Sequence, residues 1–149
     1  MKKNRSIIIE ETFNLAVKNH QEGKTDIAQK LYDRILKINP NYAHALSNLG
    51  ALYQGLGENQ KAIGFYKKTI AINPNYVPAH SNLGLIYQGL GENQKAIGCY
   101  EKAIAIDPDY VDAHNNLGNA FLALRENQKA KSCYEKTIAI DPNYAHAHN

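Results

Sequence analysis

From residue 43 onward, apolar residues fall at helical intervals. Ala43, Leu46, Leu49, Gly50 and Tyr53 lie three, four or seven apart and form one face of a helix. After a polar break, Ala62, Tyr66, Thr69 and Ile70 form one face of a second helix. Gly57 stands in the break, where a left-handed residue ends a helix. Pro74 follows the second run after Ile72 and Asn73, where proline stops one. The stretch therefore reads as helix, tight turn, helix, tight turn. The same reading along the chain predicts helix pairs at 9–22 with 25–38, 43–56 with 59–72, 77–90 with 93–106, and 111–124 with 127–140.

The unit is written several times. The twelve residues YQGLGENQKAIG occupy 53–64 and again 87–98, a spacing of 34. Pro40, Pro74, Pro108 and Pro142 keep that spacing, and so do Ala28, Ala62, Ala96 and Ala130. Tyr32, Tyr66, Tyr100 and Tyr134 form one tyrosine series, and Tyr42, Tyr76, Tyr110 and Tyr144 a second. Tyr53 and Tyr87 share a third register, which Phe121 continues; these series place all ten tyrosines. A period of 34 residues is the signature of a stacked helical repeat.

These residues resemble the tetratricopeptide repeat family, whose unit has this length. The resemblance rests on Leu49-Gly50, Tyr53, Ala62, Tyr66 and Pro74, then Leu83-Gly84, Tyr87, Ala96, Tyr100 and Pro108, then Leu117-Gly118, Phe121, Ala130, Tyr134 and Pro142. A divergent unit with Leu15-Ala16, Ala28, Tyr32 and Pro40 precedes them. The repeats are therefore placed at 9–42, 43–76, 77–110 and 111–144, after an extension at 1–8 and before a fifth unit cut short at 145–149. The family's tryptophan near the start of each unit is replaced by Leu46, His80 and His114. The resemblance implies an all-α, right-handed solenoid of antiparallel helix pairs, with the first helix of each pair lining a concave groove. Physically, small residues such as Gly50 and Ala62 let paired helices approach closely. Units that cannot bury their faces alone must stack.

Two glycines before a helix, as in Gly55-Leu56-Gly57, also invite a phosphate-binding reading. Gln60 and Gln94 stand where the third glycine of such a loop belongs, no strand precedes it, and no Gly-Lys-Ser/Thr follows. The stretch is instead the turn between paired helices, repeated because the unit is repeated.

Composition narrows the choices further. The chain has 149 residues, 44% of them apolar, and a net charge of +3 that argues neither for nucleic acid nor for a membrane surface. The opening MKKNRSIII has an apolar run too short for a signal peptide, and no stretch reaches the length of a membrane span, so the expected location is the cytoplasm. Cys99 and Cys133 also lie one repeat apart. Helix packing then separates them by about 10 Å, beyond disulfide reach; half-buried free thiols are expected.

Asn14, Asn48, Asn82 and Asn116 share the sixth position of the repeat, which the resemblance places in the groove. An asparagine amide carries donor and acceptor together, so each can pair with the N–H and C=O of one extended peptide residue. Such a ladder resembles those lining the superhelices of O-linked N-acetylglucosamine transferase and importin-like solenoids. The alternative is that these asparagines bridge within their own repeats. At about 10 Å per repeat and about 3.3 Å per peptide residue, the ladder would span roughly nine to ten residues of ligand. Ser47, Ser81, Asn115, Gln54, Gln88 and Asn119 are expected beside it as further peptide contacts. Charge enters the groove through Glu10 and Asp112, with His20 and His44 adding some below neutrality.

Some family functions do not fit. Members that clamp a terminal carboxylate use cations where this chain has Phe13 or Ser47, Pro78 or Asp112, and Asn82 or Asn116. Lys61, Lys67, Lys68, Lys95, Lys102, Lys129 and Lys136 fall on second helices and read as a solvated face, with the tyrosines assigned to the core rather than to a stacking surface for nucleic acid. His80, His114 and His148 are one repeat apart and do not converge as metal ligands, and His44 and His146 share another register. No nucleophile, base and orienting acid are spaced for catalysis. The expectation is a non-catalytic scaffold, without cofactor or metal, that binds an extended protein segment. Two alternatives stay open: a substrate-docking arm of a larger glycosyltransferase- or sulfotransferase-like enzyme, and a scaffold that self-associates through its repeat ends. Tyr134 and Ile138 at one end and Ile7, Ile8, Ile9 and Phe13 at the other are the apolar surfaces for such contacts.

Overall fold

The computed structural model describes residues 2–144; Met1 and the segment 145–149, with the start of the fifth repeat and His146 and His148, lie outside them. The described residues form α1 (Lys2–Gln21), α2 (Thr25–Ile38), α3 (Ala43–Gly55), α4 (Asn59–Ile72), α5 (Val77–Gly89), α6 (Asn93–Ile106), α7 (Val111–Ala123) and α8 (Asn127–Ile140). Helices α2 to α8 begin at the predicted residues, and α3, α5 and α7 end one residue early. The exception is α1, which begins at Lys2 rather than at residue 9. No glycine or proline interrupts residues 2–21, so nothing halts the helix once Ile9 and Ala16 have docked. The supposed extension is thus a first part of α1, with Ile7 and Ile8 exposed on it.

Each first helix ends in the same way. The N–H of Glu58 donates to the carbonyl of Tyr53 at 2.9 Å and that of Gly57 to Gln54 at 3.1 Å. This crossed pair satisfies the last carbonyls of α3 and requires a left-handed residue at Gly57, whose φ is 76°. Glu92 and Gly91 repeat the pair at 2.8 and 3.0 Å, and Glu126 and Arg125 at 2.9 and 3.0 Å. Arg125 therefore sits at φ 61° where the other repeats have glycine. Left-handed geometry costs a residue with a Cβ about 1 kcal/mol. Arg125→Gly is accordingly expected to stabilise the protein by about that amount, read as a higher urea midpoint. An unchanged or lower midpoint would show that the Arg125 side chain offsets the strain. Between repeats, Asp107 and Asp141 accept from the N–H groups two residues on at 3.1 and 3.0 Å, and Asn39 does the same for Asn41 at 3.0 Å. That use of the side chain accounts for the Asn or Asp before Pro40, Pro108 and Pro142.

The chain divides into two compact units, Met1–Pro74 and Asn75–Asn149. In the first, Ile9, Ala16, Ala28, Tyr32, Ile35, Ala45, Leu49 and Leu52 form the core. In the second, Ala96, Ile97, Tyr100, Leu117 and Ala120 do so. Within each of the last three pairs, a tyrosine ring packs closely against a glycine: Tyr66 on Gly50, Tyr100 on Gly84 and Tyr134 on Gly118. Buried Thr69 and Thr137 bond back to the carbonyls of Phe65 and Cys133, both at 2.9 Å, so neither hydroxyl is orphaned.

The lysines that open the second helices pack against aromatics. Lys61 pairs with Glu58 at 2.8 Å and lies 5.2 Å from the centre of the Tyr53 ring. Lys95 with Glu92 and Tyr87, and Lys129 with Glu126 and Phe121, repeat this arrangement. The sequence places every tyrosine in the core, and Tyr53 and Tyr87 pack against that core from its edge. Tyr53 and Tyr87 are half-buried with a cation over each ring, a contact worth about 0.5–1 kcal/mol at an exposed site.

Candidate functional site

The second unit carries the better-formed site. Helices α5 and α7 touch, and their shared face holds a cleft of about 290 Å3 lined by Asn82, Asn115, Asn116, Asp112, Tyr110 and Tyr144, with Ser81 and Leu85 completing it. Asn82 and Asn116 are half-buried, and among the described residues neither side chain has a hydrogen bond within the protein. The helical period brings them together: they hold the same register on two adjacent first helices. Asn115 is half-buried beside Asn116. Ser81 lines the cleft but is only 2% exposed.

Asp112 lies in the first turn of α7, where a carboxylate suits the helix N-terminus. One of its oxygens, Oδ1, accepts the Tyr144 hydroxyl at 2.6 Å. Burial first and this hydrogen bond second raise the Tyr144 hydroxyl's pKa well above the usual tyrosine value. Burial, then the Asp112 carboxylate, raises that of Tyr110. Both hydroxyls therefore stay protonated near neutral pH. Neither tyrosine was expected at a site. Their spacing was visible, but that they line the cleft beside Asp112 follows from how the turn after each proline folds.

Other expected contacts prove to be committed inside the fold. Gln54 accepts the Tyr66 hydroxyl at 2.8 Å, Gln88 the Tyr100 hydroxyl at 2.7 Å, and Asn119 the Tyr134 hydroxyl at 2.5 Å. Their amide N–H groups are what remains for a ligand.

In the first unit, Asn14 is exposed and Ser47 is 4% exposed. Asn48 donates to the Tyr32 hydroxyl at 3.3 Å, an internal bridge of the kind weighed against the ladder. That hydroxyl also meets His20 Nδ1 at 3.4 Å; burial lowers the pKa of His20. The ring of Phe13 packs edge-on against Tyr42 at 5.7 Å and lies 6.0 Å from His44.

The remaining candidates are structural in their surroundings. His80 and His114 are buried, and His114 Nε2 lies 2.7 Å from the Pro108 carbonyl. Cys99 and Cys133 are half-buried thiols outside any disulfide, and burial, then Glu101, pushes the Cys133 thiol up. Among the described residues no helix is long and apolar enough to cross a membrane.

Paired helices in a 34-residue period, with glycine against tyrosine in each of the last three pairs, define a helical-repeat protein. Family profiles described as tetratricopeptide repeat match residues 43–76, 111–144 and 65–98, and one described as TPR repeat matches 90–124. These matches run without a gap from 43 to 144, and the chain belongs to the tetratricopeptide repeat family. Its fold is the all-α solenoid class of that family. The crystal structure of MamA is similar, with 28% identity and a TM-score of 0.82 over 93% of this chain and 81% of that one. PilF of Pseudomonas aeruginosa shares the fold with a TM-score of 0.87 at 22% identity, over 94% of this chain and 64% of that one. Among curated sequences, uncharacterized protein ycf37 of Pyropia yezoensis is 36% identical over 58 residues, 38% of this chain and 33% of that protein. The chain thus spans about a third of the length of the curated relative it matches. Members of this family are in general non-catalytic scaffolds for protein partners.

Proposed function

We propose that the protein binds an extended peptide segment of a partner protein along the face of its first helices, gripping the peptide backbone with asparagine amides. The observation that carries this reading is the pair Asn82 and Asn116. They line one cleft in equivalent register, and among the described residues neither amide has a partner within the chain. Asn115 offers a third amide beside them. A planar amide that meets both the N–H and the C=O of one ligand residue reads backbone rather than sequence. In the first unit Asn14 holds the same register and is exposed, while Asn48 is bonded to Tyr32.

The test is a decapeptide selected for binding to the whole protein and measured by calorimetry. Asn82→Ala combined with Asn116→Ala is expected to weaken it by about ten- to a hundredfold, since each lost hydrogen bond is worth roughly 0.5–1.5 kcal/mol. The helical signal and melting temperature should stay near those of the parent, because neither amide supports the fold. Equal affinity for the double variant and the parent would sink the reading.

A further inference from the structure

We infer that the cleft between α5 and α7 is a side-chain subsite selective for lysine or arginine in the bound peptide. This rests on the peptide-binding reading above and assigns the cleft its chemistry. Of the described residues lining it, Asp112 alone is charged. The Tyr144 hydroxyl occupies Asp112 Oδ1 and so fixes the carboxylate, while Oδ2 remains for an incoming donor. Three asparagine amides line the same space, each with an oxygen as well as an NH2 group. The one acceptor-only group in the cleft is therefore the Asp112 carboxylate, and lysine and arginine are the side chains that present several donors and no acceptor. Leu85 and the rings of Tyr110 and Tyr144 supply apolar wall for the methylene stem. A cation held beside such rings gains further attraction. A volume of about 290 Å3 suits one long side chain and falls just short of the usual range for a small-molecule pocket.

The first unit is an internal contrast. The residues two repeats before Ser81, Tyr110 and Asp112 are Phe13, Tyr42 and His44. There the Phe13 ring packs against both neighbours, and an aromatic cluster stands at the register where the second unit has its acid-lined cleft. Ser81 is small enough to leave the space open, and Asp112 gives it a charge that His44 does not.

The experiment uses the full chain and an immobilised library of decapeptides in which each position in turn is fixed as arginine, lysine, norleucine or glutamate. The parent is expected to prefer arginine and lysine over norleucine by at least about tenfold at one position, as befits a charge-assisted hydrogen bond. Asp112→Asn keeps an acceptor for Tyr144 and should bring arginine and lysine peptides down to the level of their norleucine counterparts. Ser81→Phe, which copies Phe13, should erase the preference too. Peptide binding without a basic preference, or a preference that survives Asp112→Asn, would overturn this inference and leave the amide grip intact. Failure of every peptide to bind would overturn both. Spermidine is the free-cation arm: Asp112-dependent binding of spermidine, with no basic preference among peptides, would put a small amine in the cleft and also overturn the inference.

Discussion

Tyr100→Ala is expected to destabilise the protein by about 3–5 kcal/mol, the range for truncating a large core aromatic. Tyr100 is fully buried, and its ring fills the space between α5 and α6 against Gly84. Around it lie Ala96, Ile97, Leu117 and Ala120, mostly short or β-branched side chains that would fill little of the void. The hydroxyl adds one hydrogen bond, to Gln88. Gln88 is only half-buried and can turn to water, so Tyr100→Phe should cost about 1 kcal/mol or less. Thermal unfolding followed by helical circular dichroism separates the two. The alanine variant should melt roughly 10 °C lower, and the phenylalanine variant only a few degrees lower. If the two melted together, ring packing would not be what holds the pair of helices.

Gly84→Ala is expected to destabilise by about 1–3 kcal/mol, although alanine is the better helix former. An added Cβ would lie 2.6 Å from Cε1 of Tyr100, and neither helix backbone nor ring has room to yield. Gly64 is the control. It lies within α4, and an added Cβ there meets nothing within 4 Å. Gly64→Ala should therefore stabilise, by up to about 1 kcal/mol. Denaturant midpoints of the two variants should move in opposite directions. Combining Gly84→Ala with Tyr100→Leu should recover part of the combined loss, because the two changes share one contact and cannot add. Strict additivity would count against the clash.

Most of the fold was legible because its signals are local. Each helix from α2 onward starts after a turn glycine, its Arg125 replacement or a proline turn, and these recur in the sequence at fixed spacing. The start of α1 was hidden, since Lys2, Lys3, Asn4 and Arg5 carry no start signal and the isoleucines that follow are mostly exposed. The site was legible in register but not in bonding. Asn48, Asn82 and Asn116 look alike in sequence, yet Asn48 is drawn to Tyr32. The reason is a residue elsewhere: repeats two and three supply Gln54 and Gln88 to the tyrosine hydroxyl, whereas repeat one supplies His20 at the longer distance of 3.4 Å. In repeat four Leu122 stands at that place, and Tyr134 turns to Asn119. Such exchanges depend on side-chain reach across two helices, which a periodic pattern does not encode.

The twelve-residue stretch written twice can now be seen as a cassette that closes on itself. The crossed bonds from Glu58 and Gly57, the Glu58–Lys61 pair and the cation over Tyr53 all begin and end between residues 53 and 61. Its outward contacts are few: Gln54 accepts from Tyr66 of the same repeat, the Tyr53 ring stacks on Phe65, and the Tyr53 hydroxyl accepts from Gln29 of the repeat before. A block whose turn bonds are internal asks little of its neighbours for the turn itself, so it can be duplicated at the level of the gene with few compensating changes nearby. Glu-Asn-Gln-Lys-Ala has been copied unaltered into residues 58–62, 92–96 and 126–130, while Asp112 and Phe13, which face outward or toward another repeat, differ from unit to unit. Within this architecture, new binding specificity can arise by changing the exposed register alone, leaving the joints of the array as they were.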